Sequence, residues 1–176
     1  SNGTQVWMKS YAGVSGNDDI GNAITLDISG NIVVAGNSQD IVAESDGLTI
    51  KYSSTGIENW VKLFKGIGDN TDNVNAMVLD ANGNTYLAGY TYGQSALKDM
   101  CVLKLGPAGD TLWVRKYNGT DSGNDEAMDI KIDAAGNVYI TGFTKESLTD
   151  YDITTIKYNS NGVIQWISQY DNNTVM

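Results

Sequence analysis

The chain contains no histidine. That removes the commonest general base, every Ser-His or Cys-His nucleophile pair and any His-ligated zinc. Cysteine is almost as scarce: Cys101 is alone, so no intrachain disulfide framework can form. It lies in the apolar run Met100-Cys-Val-Leu103 and reads as a small buried hydrophobe rather than a reactive thiol. No apolar run approaches the length of a membrane span, and the first residues carry no signal-peptide pattern. Bases are few, 11 against 21 acidic residues, giving a net charge of −10. Nucleic acid and membrane insertion are therefore not expected. Helical periodicity is missing as well, because Gly or Asn interrupts every apolar run.

What the chain does have is repetition. Trp7, Trp60, Trp113 and Trp166 are each 53 residues apart, and the rest of the sequence follows them. Asp27, Gly30-Asn31, Gly36, Lys51 and Gly56 recur as Asp80, Gly83-Asn84, Gly89, Lys104 and Gly109, and again as Asp133, Gly136-Asn137, Gly142, Lys157 and Gly162. Gly13/Gly66/Gly119, Asp19/Asp72/Asp125 and Asp46/Asp99/Asp152 complete ten identities in 53 positions, far more than chance supplies. Repeats of this length belong to solenoids, propellers or arrays, and no single copy is large enough to bury its own core.

Residues 73–117 show the unit. Asn75–Leu79 reads as a strand, Asp80-Ala-Asn-Gly-Asn84 as a turn, and Thr85–Gly89 as the returning strand. The Asp opens the turn because its carboxylate can accept the turn's own N–H groups. A second hairpin runs from Met100–Leu105 through Gly106-Pro-Ala-Gly109 to Thr111–Tyr117. Each repeat thus holds four short antiparallel strands, A to D. Strand B is apolar throughout, as in Ile32-Val-Val-Ala35, and needs cover on both faces; strand D alternates. Covered inner strands and a half-wet outer strand describe a β-propeller blade, with a β-solenoid as the runner-up. The expected fold is all-β: an outer strand at 4–11, then blades at 18–64, 71–117 and 124–170.

The segment Asp125-Glu-Ala-Met-Asp-Ile-Lys-Ile-Asp-Ala-Ala-Gly-Asn-Val-Tyr-Ile-Thr-Gly-Phe-Thr144, followed by Tyr151-Asp-Ile-Thr-Thr-Ile-Lys-Tyr-Asn-Ser-Asn-Gly162 and Trp166, resembles the SBBP (seven-bladed β-propeller) repeat of bacterial secreted and surface proteins. The likeness runs the length of the chain. The second copy departs from it at Leu105, Gly106 and Pro107, and the first at Ile32-Val33, which lack the aromatic, and at Asn37. The resemblance implies a secreted or cell-surface location in bacteria. It implies no established activity.

In a four-stranded meander the D-to-A and B-to-C connections emerge at one end and the short A–B and C–D turns at the other. The long connections, 12–19, 65–72, 118–125, 37–46, 90–99 and 143–152, hold 13 acidic residues and only Lys65, Lys98 and Lys145 as bases. Variable loops on a rigid frame are where binding concentrates. Asp19/Asp72/Asp125 and Asp46/Asp99/Asp152 recur with the repeat, and their expected work is to cap turn N–H groups at the starts of strands A and C. The functional alternative is calcium, for which Asp69, Asp72, Asp121, Asp125 and Glu126 are the candidate ligands, although no Asp-x-Asp-x-Asp-Gly loop is present. Tyr90, Tyr92, Phe143 and Tyr151 could stack on a sugar or peptide, or belong to the core. Lys51, Lys104 and Lys157 are read as snorkelling or pairing with a nearby Asp rather than as catalytic.

The sequence therefore predicts a non-catalytic scaffold or binding module with no cofactor beyond calcium, and with a protein or glycan partner on the long-loop face. A calcium- or carbohydrate-binding propeller is the alternative, followed by a carboxylate-based glycosidase or lyase. Three blades cannot close a ring, so self-association through exposed blade edges is also expected.

Overall fold

The computed structural model describes residues 2–13, 17–39, 44–66, 71–93, 97–119, 123–145 and 151–170. Twelve antiparallel strands form three four-stranded sheets, and the described residues contain no helix. Sheet 1 comprises β1 (Asp19–Leu26), β2 (Ile32–Gln39), β3 (Ser45–Tyr52) and β4 (Glu58–Phe64). Sheet 2 comprises β5 (Asn73–Leu79), β6 (Thr85–Tyr92), β7 (Lys98–Leu105) and β8 (Thr111–Tyr117). Sheet 3 comprises β9 (Glu126–Ile132), β10 (Val138–Lys145), β11 (Tyr151–Tyr158) and β12 (Ile164–Tyr170). Each is a simple meander in chain order.

The sheets pack face on face. Side chains alternate along each strand, so one face of sheet 2 gives Leu87, Leu103 and Leu105 to a core shared with Ala35, Trp60 and Phe64 of sheet 1. Its other face gives Tyr86, Ala88, Met100 and Val102 to a larger core with Ile130, Val138, Ile140, Ile156 and Tyr158 of sheet 3. The contacts between sheets run through the first strands, β1 with β5 and β5 with β9, and through the strands beside them.

Strands β1, β5 and β9 each carry one bulged residue, Asn22, Asn75 and Met128. The bulge explains Gly36, Gly89 and Gly142, which face it: a Cβ at any of them would collide with the carbonyl oxygen of Ile20, Asn73 or Glu126. It also joins the sheets. The Asn22 side chain donates to the Val74 carbonyl at 2.7 Å, and Asn75 donates to the Ala127 carbonyl at 2.9 Å.

Residues 4–11, expected as an outer strand, join no sheet. The segment lies instead as a strap on sheet 1, with Tyr11 against the Leu48, Ile50 and Tyr52 cluster.

Candidate functional site

Two ends of the sheets carry the recurring polar residues. At the short-turn end, Asp27, Asp80 and Asp133 each organise an A–B turn. One carboxylate oxygen of Asp80 accepts from the backbone N–H groups of Asn82 and Asn84, both at 2.9 Å. The other accepts from the Asn84 side chain and, at 3.1 Å, from the Tyr86 hydroxyl. Asp133 does the same with Asn137 and Tyr139. In the first copy Val33 has no hydroxyl to offer, and Lys51 reaches Asp27 at 3.0 Å instead. Lys104 and Lys157 are released from that duty and lie over the rings of Tyr86 and Tyr139, 4.9 and 5.1 Å from the centroids. Burial pushes the Asp27 carboxyl up, but the Asn31 amide, Lys51 and two backbone N–H groups outweigh it and hold the group at about 2. Asp133, bonded first of all by the Asn137 amide, is also held at about 2.

The tryptophans link each sheet to the next at this same end. The indole N–H of Trp60 donates to the Pro107 carbonyl at 3.0 Å, and that of Trp113 to Ser160 at 3.4 Å. The ring covers a turn glycine, Gly109 or Gly162, so closely that an added Cβ would lie about 3 Å from it. Trp7 of the strap makes the same joint with Ser54 and Gly56, its indole N–H at 3.1 Å from the Ser54 carbonyl. Arg115 strengthens the joint between sheets 2 and 3 by donating to the carbonyls of Gly162 and Asn161.

At the long-loop end, Asp19, Asp72 and Asp125 close the connection into the first strand of each sheet by accepting from Gly13, Gly66 and Gly119. Asp125 also accepts from the Lys145 backbone at 3.0 Å. A hydroxyl-bearing side chain at equivalent positions, Ser38, Thr91 or Thr144, sits against each glycine, through the hydroxyl at Gly13 and Gly66 and through Cβ at Gly119. Burial drives the Asp72 carboxyl up, opposed by Thr91, the Gly66 N–H and Lys116. These aspartates cap backbone donors, as expected for the strand-A set. The strand-C set behaves differently: Asp46 pairs with Lys65 at 2.9 Å, and Asp99 is pushed up by burial with Lys116 opposing it.

The calcium candidates divide. Asp69 and Asp121 lie outside the described residues. Asp72 and Asp125 are engaged as above, and Glu126 pairs with Lys98 at 2.6 Å. Among the described residues no group of three His, Cys, Asp or Glu side chains converges as a metal site.

The aromatic candidates form two pairs at matching places on sheets 2 and 3. Tyr90 is 8% exposed, edge-on to Tyr92, with the Lys98 ammonium 4.0 Å above its ring. It belongs to the core rather than to a stacking surface. Phe143 and Tyr151 meet edge-on at 5.1 Å, and Tyr151 is 56% exposed. The cross-strand partners exchange identity between copies: Tyr92 faces Lys98 in sheet 2, while Lys145 faces Tyr151 in sheet 3. Cys101 is buried, and burial lifts its thiol to about 12, which leaves it inert.

Sequence reasoning missed the Ser38/Thr91/Thr144 hydroxyls and the Asn22/Asn75 staples. Both are periodic, but neither is identical in all three copies. A similarity count rather than an identity count would have found the first. No family model matches the chain, and comparison with the curated proteins finds no match.

Proposed function

We propose that the three sheets are successive blades of a β-propeller and that the chain serves as a non-catalytic scaffold whose long-loop end binds a partner. The observation that carries this reading is the use made of the repeated polar groups. Asp19/Asp72/Asp125, Asp27/Asp80/Asp133 and the three strand-C lysines all act on the frame, closing turns, covering aromatic rings or tying loops. Asp80, Asp133 and Lys104 do line a cleft of about 310 Å³, but both carboxylates are already bonded by their own turns and by Tyr86 or Tyr139. Blade stacking is supported by the first strands approaching one another from sheet to sheet, with Trp60 and Trp113 of two outer strands on the next blade's turn. The long connections, B-to-C and D-to-A alike, differ among the copies, and variable loops on a repeated frame are where specificity resides. A secreted or surface bacterial setting follows from the family resemblance, and protein or glycan is the partner class.

The test exchanges segments 40–43, 94–96 and 146–150 among the three copies. Thermal unfolding is expected to stay put, while retention on a glycan and extracellular-protein panel changes. The panel is run in millimolar calcium and in chelator; retention lost in chelator would assign Asp69 and Asp121 to a metal. Release of sugar fragments from a retained glycan, abolished by Asp99→Asn, would replace the scaffold with an enzyme.

A further inference from the structure

At the long-loop end of sheet 2 a lysine from the outer strand lies among acids that the fold buries. β7 runs between β6 and β8; Thr91 of β6 is paired with Asp99 of β7, and Cys101 of β7 with Lys116 of β8. Residues paired across strands, or two apart along one strand, share a face. Thr91, Asp99, Cys101 and Lys116 therefore stand on one side of the sheet. The Lys116 ammonium donates to the Thr91 hydroxyl at 3.4 Å, so its side chain crosses β7 and passes Asp99 on the way. Thr91 in turn bonds the Asp72 carboxylate, which also accepts from the Gly66 N–H. Asp72 and Thr91 are fully buried.

Asp99 is the unengaged member of this row. Its Oδ1 is buried and no hydrogen bond reaches it. Burial pushes the carboxyls of both Asp72 and Asp99 up, with Lys116 opposing. In water an amine does not attack a carboxyl group, because one is protonated and the other ionised. A buried site favours the neutral forms of both, and confinement replaces the encounter that makes the reaction slow between free molecules. The other two copies lack the amine. The positions equivalent to Lys116 are Leu63 and Gln169, and the Gln169 amide merely donates to the Thr144 hydroxyl at 3.3 Å.

We propose that Lys116 and Asp99 condense into an intramolecular amide bond that ties β8 to β7. Rotation about the outer bonds of Lys116 exchanges Thr91 for Asp99. One ammonium proton passes through the Thr91 hydroxyl to Asp72. The Nζ lone pair then adds to the carboxyl carbon of protonated Asp99, and the bond from that carbon to its hydroxyl breaks. The hydroxyl leaves with a second Nζ proton as water, and Asp72 keeps the first. No oxidant or cofactor enters the balance. The bond locks the strand that carries Trp113 and Arg115, the side chains that seat sheet 2 on sheet 3. Until it forms, Asp99 remains a titrating acid.

The test is the intact mass of the full chain after prolonged incubation at neutral pH, followed by peptide mapping. The unsubstituted chain is expected to be lighter than its sequence by one water. The loss should map to a branched peptide joining Asp99 to Lys116. Lys116→Arg keeps the positive charge but cannot form the bond, and should return the full mass; Asp99→Ala should do the same. The full sequence mass in the unsubstituted chain would overturn the proposal, and that reading needs no variant to fold. A water loss that survives Lys116→Arg would overturn it too, since it marks a cyclised aspartate elsewhere. So would a branch from Lys116 to any acid other than Asp99. The scaffold reading does not depend on the outcome, because it rests on the repeated groups and Lys116 is not one of them.

Discussion

At the scale of single residues, the aspartates of this chain do two jobs that their pKa values separate. Asp27 and Asp133 sit in turns where donors converge on the carboxylate, and both are held at about 2. Asp72 and Asp99 are pushed up by burial. A carboxyl held below its unfolded value stabilises the fold wherever it is ionised in both states, and that contribution disappears as pH falls through the folded value. Stability measured by urea unfolding should therefore drop as pH falls from the ordinary value of 3.8 toward about 2. An Asp27→Asn, Asp133→Asn double variant should be less stable at neutral pH and show a flatter acid slope. Asp72 and Asp99 act in the opposite sense, since a raised carboxyl favours the protonated fold. The exchange of partners around Asp27 shows how a repeat absorbs a substitution. When the tyrosine becomes Val33, the cross-strand lysine leaves the ring position and supplies the lost donor itself.

At the scale of elements, the joint between sheets is built from three kinds of contact: apolar face on apolar face, an asparagine staple from a strand bulge, and an indole on a turn glycine. Trp60→Ala removes the third from the first joint. It should lower stability by about 2 kcal/mol, below the ~3–5 kcal/mol of a fully buried aromatic because Trp60 is only half-buried. Hydrogen exchange should then rise at Gly106–Gly109, the turn it covers, before it rises in β6. Much of this level was legible in the sequence. The first hairpins were marked by Asp-x-x-Gly-Asn and the second by Gly56, Gly109 and Gly162, and the apolar strand B called for cover on both faces. The bulges were not legible, because an extra residue in a strand shows only against its partner's register. Asn22 and Asn75 were hidden by Met128 in the third copy. The 4–11 segment has strand-like alternation, but pairing is a property of two strands and the alternation of one does not reveal it. Of the site, the turn-capping role of Asp72 and Asp125 could be inferred from their periodicity. The burial of Tyr90 could not, because the Lys98 ammonium over its ring is held by Glu126 of another sheet.

At the scale of the whole molecule, the frame and the variable parts are segregated. The strands and short turns carry most of the repeat, and the long connections, with 13 acids against three lysines, carry the whole acidic excess behind a net charge of −10. No helix among the described residues is long and apolar enough to cross a membrane. The central proposal is that three copies of one unit fan about a common axis as blades, held by tryptophan joints. Small-angle X-ray scattering of the chain, on the fraction with the mass of one chain, tests it most directly. The account predicts the profile of a short curved wedge, with the first strands together on its inner side. A profile of a straight stack, with equal spacing between inner and outer strands, would contradict it and leave a solenoid in its place.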